Sequence, residues 1–223
     1  MTRESSMRIG IIGAGMIGAT LGPLWMRAGH AVRFGTRHPD RVRVEGALAT
    51  TVAEAAAWAE VLLLAVPLGA VPDVAGAAGA AGAAGAAGAA GATGSALEGK
   101  VVLDATNPMA RREPAAVREI EAEGTGSGRW VARHLRGARV VKAFNTVYFQ
   151  QLRTAAGTGP TAPGIPLAGD DASALATASQ LVRDAGFEPV VAGPLEQATR
   201  FEVGTPAWNS GATAAALRSQ LRL

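Results

Sequence analysis

A short apolar run followed by closely spaced glycines limits the fold of this chain more than any other feature. Residues 9–12 form the run, and Gly13, Gly15 and Gly18 give the spacing G-x-G-x-x-G before an apolar helical pattern. A second apolar run follows at residues 31–35. Strand, glycine turn, helix and strand in this order predict a unit that binds a dinucleotide, although a glycine-rich turn without a ligand would share the pattern. The first glycine allows the tight turn, the second leaves room for the pyrophosphate, and the third lets helix and strand pack closely. The helix N-terminus then faces the anion.

The end of the second strand indicates which dinucleotide binds. Proteins that bind NAD usually place an acid there to hold the ribose 2′-hydroxyl, whereas this chain has Thr36, Arg37 and His38, with no acid before Asp40. A threonine hydroxyl and an arginine guanidinium suit a 2′-phosphate better, because the guanidinium can form a bidentate charged pair. The alternative is that Arg37 is an ordinary exposed arginine. We therefore expect NADP(H).

Composition excludes several classes of function. The 223 residues contain no cysteine, so disulfides, thiolate metal sites and cysteine nucleophiles are ruled out. The net charge is +3, and aromatic residues make up only 4% of the chain, so stacking platforms for nucleic acid are lacking. Residues 9–26 include five glycines and are followed by strand signals, so they are read as a buried strand and helix and not as a membrane span. We expect a cytoplasmic protein with no metal site and with no nucleic-acid or membrane partner.

The rest of the chain alternates between strand and helix patterns and predicts an α/β fold with a doubly wound parallel sheet. Strands are expected at residues 47–50, 61–66, 100–108, 138–144, 165–168 and 188–192, with helices at 52–59 and 172–185, a helix and loop within 111–133, and a helix from Pro194 onward. Residues 1–150 are expected to form the NADP-binding Rossmann domain, and residues 151–223 a small C-terminal α/β cap.

Three local patterns carry no chemistry in this interpretation. Residues 75–94 are almost entirely alanine with glycine at every third position, which predicts a low-complexity linker. The pair Asp170 and Asp171 stands before a predicted helix, so one of them is expected to be its N-cap and neither to act in acid/base chemistry. The stretch GSALEGK resembles a phosphate-binding loop but lacks the required Ser or Thr and precedes a strand, so it is rejected.

Seven motifs in sequence order resemble a known family, the NADPH-dependent reductases of coenzyme F420. They are GAGMIG, the Thr36–Arg37 pair, AVP at 65–67, DATNP at 104–108, VKAFNT at 141–146, LAGDD at 167–171 and AGPLEQA at 192–198. The pattern is also similar to the NADPH domain of the six-transmembrane metalloreductases. The resemblance implies a Rossmann domain with a short C-terminal extension, NADP(H) as cofactor, coenzyme F420 as co-substrate and usually a homodimer.

The resemblance assigns residues to three parts of a site. The cofactor-binding residues are Gly13, Gly15, Met16, Ile17 and Gly18 at the pyrophosphate, Thr36, Arg37 and His38 at the 2′-phosphate, and Ala65, Val66, Pro67, Asn107, Pro108 and Ala143 along the nicotinamide side. Phe144, Asn145 and Thr146 are expected to bind the hydride acceptor, with Trp208 as a lid. No side chain is expected to act as nucleophile, because hydride transfer needs only stacked rings.

The identity of the hydride acceptor stays open between two rings. Asn145 stands where archaeal deazaflavin reductases carry a histidine, while members similar to the metalloreductases also have Phe-Asn here and use FAD or FMN. The expected reaction is hydride transfer between NADP(H) and coenzyme F420. Reduction of a flavin or a small molecule, and a non-catalytic NADPH sensor, are the alternatives. A hydroxyacid or imine dehydrogenase would need a larger helical domain than the residues after Tyr148 provide.

Overall fold

One eight-stranded sheet organises the protein, whose structure is a computed structural model describing residues 6–86 and 95–223. The strands are β1 (Arg8–Ile12), β2 (Ala31–Gly35), β3 (Leu48–Thr50), β4 (Val61–Leu64), β5 (Val101–Asp104), β6 (Arg139–Lys142), β7 (Gly164–Gly169) and β8 (Glu188–Gly193). Their order in the sheet is β3-β2-β1-β4-β5-β6-β7-β8. The first six strands are parallel, β7 runs antiparallel to β6, and β8 is parallel to β7. The predicted α/β doubly wound sheet is confirmed.

Helices cover both faces of the sheet. They are α1 (Met16–Arg27), α2 (Val52–Trp58), α3 (Val71–Ala86), α4 (Pro114–Glu123), α5 (Gly126–His134), α6 (Phe149–Ala155), α7 (Ala172–Asp184) and α8 (Ala214–Gln220). Buried residues of α1, α6 and α7 form a core with one face, and those of α2 to α5 form a second core with the other. The indole nitrogen of Trp25 donates to the carbonyl of Leu181 at 2.8 Å, which joins α1 to α7 beneath the sheet.

Side chains cap the starts of α2 and α7, and the cap of α7 is one of the two aspartates that the sequence predicted. The Thr51 hydroxyl accepts from the backbone of Glu54, whose carboxylate accepts in return, so α2 begins with a capping box. Asp171 is the N-cap of α7 and accepts from the Ala174 backbone at 2.7 Å. The hydrogen bond from the Ser173 hydroxyl, with that backbone bond, lowers the pKa of the Asp171 carboxyl and keeps it ionised as a cap.

The alanine-glycine tract differs from its prediction. Residues 75–86 of the expected linker belong to α3, and residues 87–94 lie outside the described part of the chain. Val71, Val74 and Ala78 of this helix are buried in the second core. Burial of this side therefore outweighs the cost of the glycines, since tertiary packing routinely overrides weak propensity.

The C-terminal segment extends the sheet instead of covering it. The predicted boundary after residue 150 falls between β6 and β7, which are hydrogen-bonded neighbours in one sheet. The single helix expected from Pro194 onward is wrong: a 3₁₀ helix spans Leu195–Phe201, and α8 begins only at Ala214. Across residues 6–86 and 95–223, no helix is long and apolar enough to cross a membrane.

The same substitution should have opposite effects in two helices. At Gly76 and Gly79 of α3 an added Cβ would meet nothing within 4 Å, whereas at Gly22 of α1 it would lie 2.6 Å from Cζ of Phe34. We expect Gly76→Ala and Gly79→Ala each to raise the free energy of unfolding by about 1 kcal/mol, because alanine favours helix over glycine. Gly22→Ala should lower it by about 1 to 3 kcal/mol through overpacking. Urea denaturation of the three variants measures this, and destabilisation by the α3 substitutions would contradict the helical assignment.

Candidate functional site

The glycine turn between β1 and α1 has little room except at one position. Gly13 has φ 104°, and a Cβ there would collide with the carbonyl of Ala65. A Cβ at Gly18 would collide with the carbonyl of Gly13, whereas one at Gly15 would meet nothing within 4 Å. Two glycines are therefore required by the fold itself. The third leaves open space directly before the N-terminus of α1, where backbone N–H groups lack helical partners.

Two adjoining cavities form a crevice along the carboxyl ends of the parallel strands. The larger has a volume of about 500 Å³ and the smaller about 250 Å³. Both are lined by Gly15, Ala65, Val66 and Pro67, so they meet at the glycine turn and the end of β4. This is the edge of a parallel sheet at which ligands bind in α/β proteins.

The smaller cavity lies at the end of β2. Thr36 and Arg37, the residues expected to hold a 2′-phosphate, line it, and Arg37 is exposed. His38 is also exposed but is not part of the lining. Asp73 of α3 lines the cavity as well, which the sequence did not indicate, because no helix was expected to begin at residue 71 and residues 75–86 were read as linker. This end thus holds one cation and one acid from different elements.

The larger cavity is lined by residues from five segments of the chain, one of which is the segment after β4 already named. It includes Met16 and Ile17 from α1, Asn107 after β5, Asn145 after β6, and Trp208 and Asn209 from the C-terminal segment. Met109, Arg112, Glu113, Tyr148 and Phe149 also line it, and nothing in the motifs pointed to them. The exposed side chains of Met16, Met109 and Tyr148 give its mouth an apolar rim.

Several predicted residues are absent from the lining of the cavity. Ala143 and Thr146 are buried, and Pro108 is absent from the lining. Phe144 is 1% exposed, and its ring packs edge-on against that of Trp25, with 6.0 Å between the ring centres. Its backbone has φ 60°, which is uncommon for a bulky side chain. The Phe144 side chain therefore belongs to the core, while the next residue, Asn145, lines the cavity.

A chain of hydrogen bonds fixes the polar end of the larger cavity. The amide nitrogen of Asn107 donates to the carbonyl of Asn145 at 2.9 Å, and the indole nitrogen of Trp208 donates to Oδ1 of Asn107 at 3.3 Å. Nδ2 of Asn145 donates to the carbonyl of Phe201 at 3.1 Å. This bond sets the orientation of the Asn145 amide. Its Oδ1 is buried and has no hydrogen-bond partner among the residues described.

A buried lysine holds the segment that carries Asn107. Lys142 and Asp104 are both 0% exposed and pair at 3.0 Å. Lys142 also donates to the carbonyl of Thr106 at 2.7 Å and to the hydroxyl of Ser127 at 3.0 Å. Asp104 accepts from both the backbone and the hydroxyl of Thr106. The Lys142 ammonium therefore has all its donors engaged within the protein.

Within the described part of the chain, no three His, Asp or Glu side chains are grouped as metal ligands.

Comparison with known proteins gives this fold and site a class. Residues 8–108 match the family described as "NADP oxidoreductase coenzyme F420-dependent". A solved structure of a hypothetical protein from Sinorhizobium meliloti is similar, with 22% identity, coverage of 95% of this chain and 97% of that one, and a TM-score of 0.72. A protein from Arthrobacter sp. FB24, named as a candidate F420-dependent NADP reductase, shows 24% identity, coverage of 86% and 87%, and a TM-score of 0.63. Fold and family match together point to an NADP-dependent oxidoreductase.

A second group of solved structures shares only part of its length with this chain. A reductive aminase from Aspergillus terreus, solved with NADPH and ethyl levulinate, shows 16% identity and a TM-score of 0.58. The match covers 98% of this chain but 61% of the aminase. The chain thus spans about three fifths of that enzyme, and the likeness is one of fold.

Loss of the Lys142 ammonium should be far more damaging than loss of an exposed ion-pair partner. Lys142→Met leaves Asp104 buried without its counter-ion, so we expect a loss of about 3 to 5 kcal/mol in the free energy of unfolding. Arg218→Met removes a partner of Glu188 in a pair about half exposed and should cost less than about 1 kcal/mol. Urea denaturation compares the two variants. Equal stabilities would show that the buried network does not hold the site together.

Proposed function

We propose that this protein transfers a hydride between NADP(H) and the deazaflavin coenzyme F420. The observation that carries the proposal is the continuous crevice, with Thr36 and Arg37 at one end, open space at the glycine turn, and Asn145 and Trp208 at the other. Its shape suits an extended dinucleotide followed by a second ring. The family match over residues 8–108 supports F420 as that ring. The homodimer and the cytoplasmic location stay predictions.

The residues have modest tasks in such a reaction. When bound, NADPH supplies the hydride from its nicotinamide ring, and no protein nucleophile is required. The N-terminal N–H groups of α1 would hold the pyrophosphate, and the Arg37 guanidinium would hold the 2′-phosphate. Val66 and Pro67 form an apolar wall that excludes water, while the Asn145 amide, fixed by Phe201, would orient a ring. Trp208, bonded to Asn107, would close the far end of the crevice.

The nature of the acceptor has two competing answers. Asn145 departs from the histidine expected of deazaflavin reductases, and the similar segment of the metalloreductases favours FAD or FMN. The fold likeness to the reductive aminase adds a small-molecule acceptor, but the match covers only 61% of that enzyme. We retain F420 as the proposed acceptor, because it is the one that the matching family specifies.

NADPH should bind well ahead of NADH, and Arg37 should be the reason. A charge-assisted guanidinium–phosphate contact contributes about 1.5 to 3 kcal/mol, so Arg37→Asp should remove about that much of the preference. Arg41→Asp makes the same charge change outside the cavity lining and should have a much smaller effect. Titration of both nucleotides by tryptophan fluorescence gives the two affinities. Equal affinities in the unmodified protein would rule out the 2′-phosphate pocket.

The acceptor can be identified by mixing the protein with NADPH and oxidised F420. We expect the visible absorbance of oxidised F420 to fall. Asn145→Leu should lower kcat/KM for the acceptor by about ten- to a hundredfold, because it removes an amide that makes one or two hydrogen bonds. NADPH affinity should stay intact. Gln150→Leu makes a similar change at an exposed position of α6 and serves as the control.

Other outcomes of the same assay separate the alternatives. Reduction of FMN or FAD, with F420 unchanged, would replace the proposal with a flavin reductase. If neither ring is reduced while NADPH still binds, a small-molecule substrate or an NADPH sensor becomes the better account.

A further inference from the structure

Glu113 has a carboxylate for which residues 6–86 and 95–223 provide no hydrogen-bond partner. The residue as a whole is partly exposed, but both Oε1 and Oε2 are shielded from solvent. Neither oxygen accepts a hydrogen bond from residues 6–86 or 95–223. Burying a carboxylate without a donor is costly, so proteins almost always supply one. The missing donor therefore needs an explanation.

Helix capping does not provide that explanation. Glu113 is the N-cap residue of α4, yet its side chain makes no capping hydrogen bond. Asp171 and Thr51, at the corresponding positions of α7 and α2, both cap their helices. The Glu113 carboxylate thus lies at the start of a helix but does not cap it.

The other buried carboxylates of the described chain are fully satisfied. Asp104 accepts from the backbone and hydroxyl of Thr106 and from Lys142. Glu202 accepts from the backbone and hydroxyl of Ser127 and from the backbone of Gly128. These two carboxylates hold structural segments together. Glu113 is different, because it is one of the residues that line the larger cavity.

The larger cavity of the crevice presents two unpartnered acceptors. Glu113 and Asn145 both line it, and Oδ1 of Asn145, like the Glu113 oxygens, has no partner among the described residues. Glu113 lies beside Gly69: its Cγ is 3.5 Å from the position that a Cβ on Gly69 would occupy. The side chains of Asn107 and Trp208, which line the same cavity, donate to other groups of the protein. Arg112 is exposed at the cavity edge and makes none of its bonds to Glu113. A molecule that fills this cavity must supply the donors.

We propose that Glu113 is a ligand-binding residue, whose carboxylate accepts a hydrogen bond from an N–H or O–H group of the molecule bound in the larger cavity. The inference rests on the proposed function and specifies the chemistry of that end of the site. The ligand carries an N–H or O–H donor at this point, since a deprotonated phosphate or carboxylate has no hydrogen to give to the Glu113 carboxylate. Two sources have this chemistry: the carboxamide or ribose hydroxyls of the nicotinamide half, and the ring N–H or hydroxyl groups of the hydride acceptor.

The test combines stability with binding. Glu113→Met replaces the carboxylate by an apolar group of similar length, Glu113→Gln keeps one acceptor oxygen, and Glu121→Met is the control on the exposed side of the same helix. Thermal unfolding of the unliganded proteins gives Tm. NADPH affinity is measured by tryptophan fluorescence, and KM for F420 and for FMN is measured at saturating NADPH.

Glu113→Met should keep or raise Tm, because it removes a buried group that has no partner. It should also weaken one ligand by about tenfold or more, the loss expected for a hydrogen bond to a charged group, with Glu113→Gln between it and the unmodified protein. A rise in KM alone assigns the donor to the hydride acceptor, and weaker NADPH binding assigns it to the nicotinamide half. Glu121→Met should change neither.

Two results would overturn the inference. A Tm several degrees lower for Glu113→Met would mean that the carboxylate has a structural partner. An unchanged Tm with unchanged NADPH affinity and KM would mean that it binds no ligand. Failure of the unmodified protein to bind NADPH is a different result: it refutes the proposed function, while the Tm comparison still decides whether Glu113 has a structural partner.

Discussion

The ammonium of Lys142 is the interaction on which the crevice depends. It lies at the end of β6, wholly buried, and contacts Asp104 at the end of the neighbouring β5. Because Lys142 binds the carbonyl of Thr106 and Asp104 binds its N–H, the backbone of that residue is held from both sides. The next residue, Asn107, then reaches the Asn145 carbonyl. The cost of removing two charges from water offsets much of their mutual attraction, so the pair contributes mainly by holding these segments in a fixed geometry.

The same network ties the C-terminal segment to the nucleotide-binding part. The Ser127 hydroxyl, which accepts from Lys142, donates to Glu202 at 2.6 Å. Glu202 directly follows Phe201, whose carbonyl orients the Asn145 amide. The position of Asn145 is thus fixed from β5 on one side and from the C-terminal segment on the other. This explains why residues after the predicted boundary at 150, such as Trp208, help to form the crevice.

Sequence patterns predicted the parallel strands well, because strands buried on both faces read as continuous apolar runs and end at glycine or proline. They failed where distant contacts decide the outcome. The core contacts of Val71 and Val74 make part of the alanine-glycine tract a helix, although local propensity is nearly balanced. The positive φ of Phe144, which places its ring in the core, is not a conformation that phenylalanine favours. Whether an acceptor such as those of Asn145 and Glu113 is left without a donor depends on how the rest of the fold uses its donors. No local sequence pattern records that.

Charged groups of both signs line each cavity of the crevice. Arg37 and Asp73 line the smaller cavity, and Arg112 and Glu113 line the larger. Net charge therefore does not distinguish the two cavities. Under the proposed function, the N–H groups at the start of α1 and the Arg37 guanidinium would fix the phosphates, and the unpartnered acceptors of Asn145 and Glu113 would take donors from the molecule in the larger cavity. Hydride transfer needs no acid or base from the protein, so correct orientation is the main task of these residues.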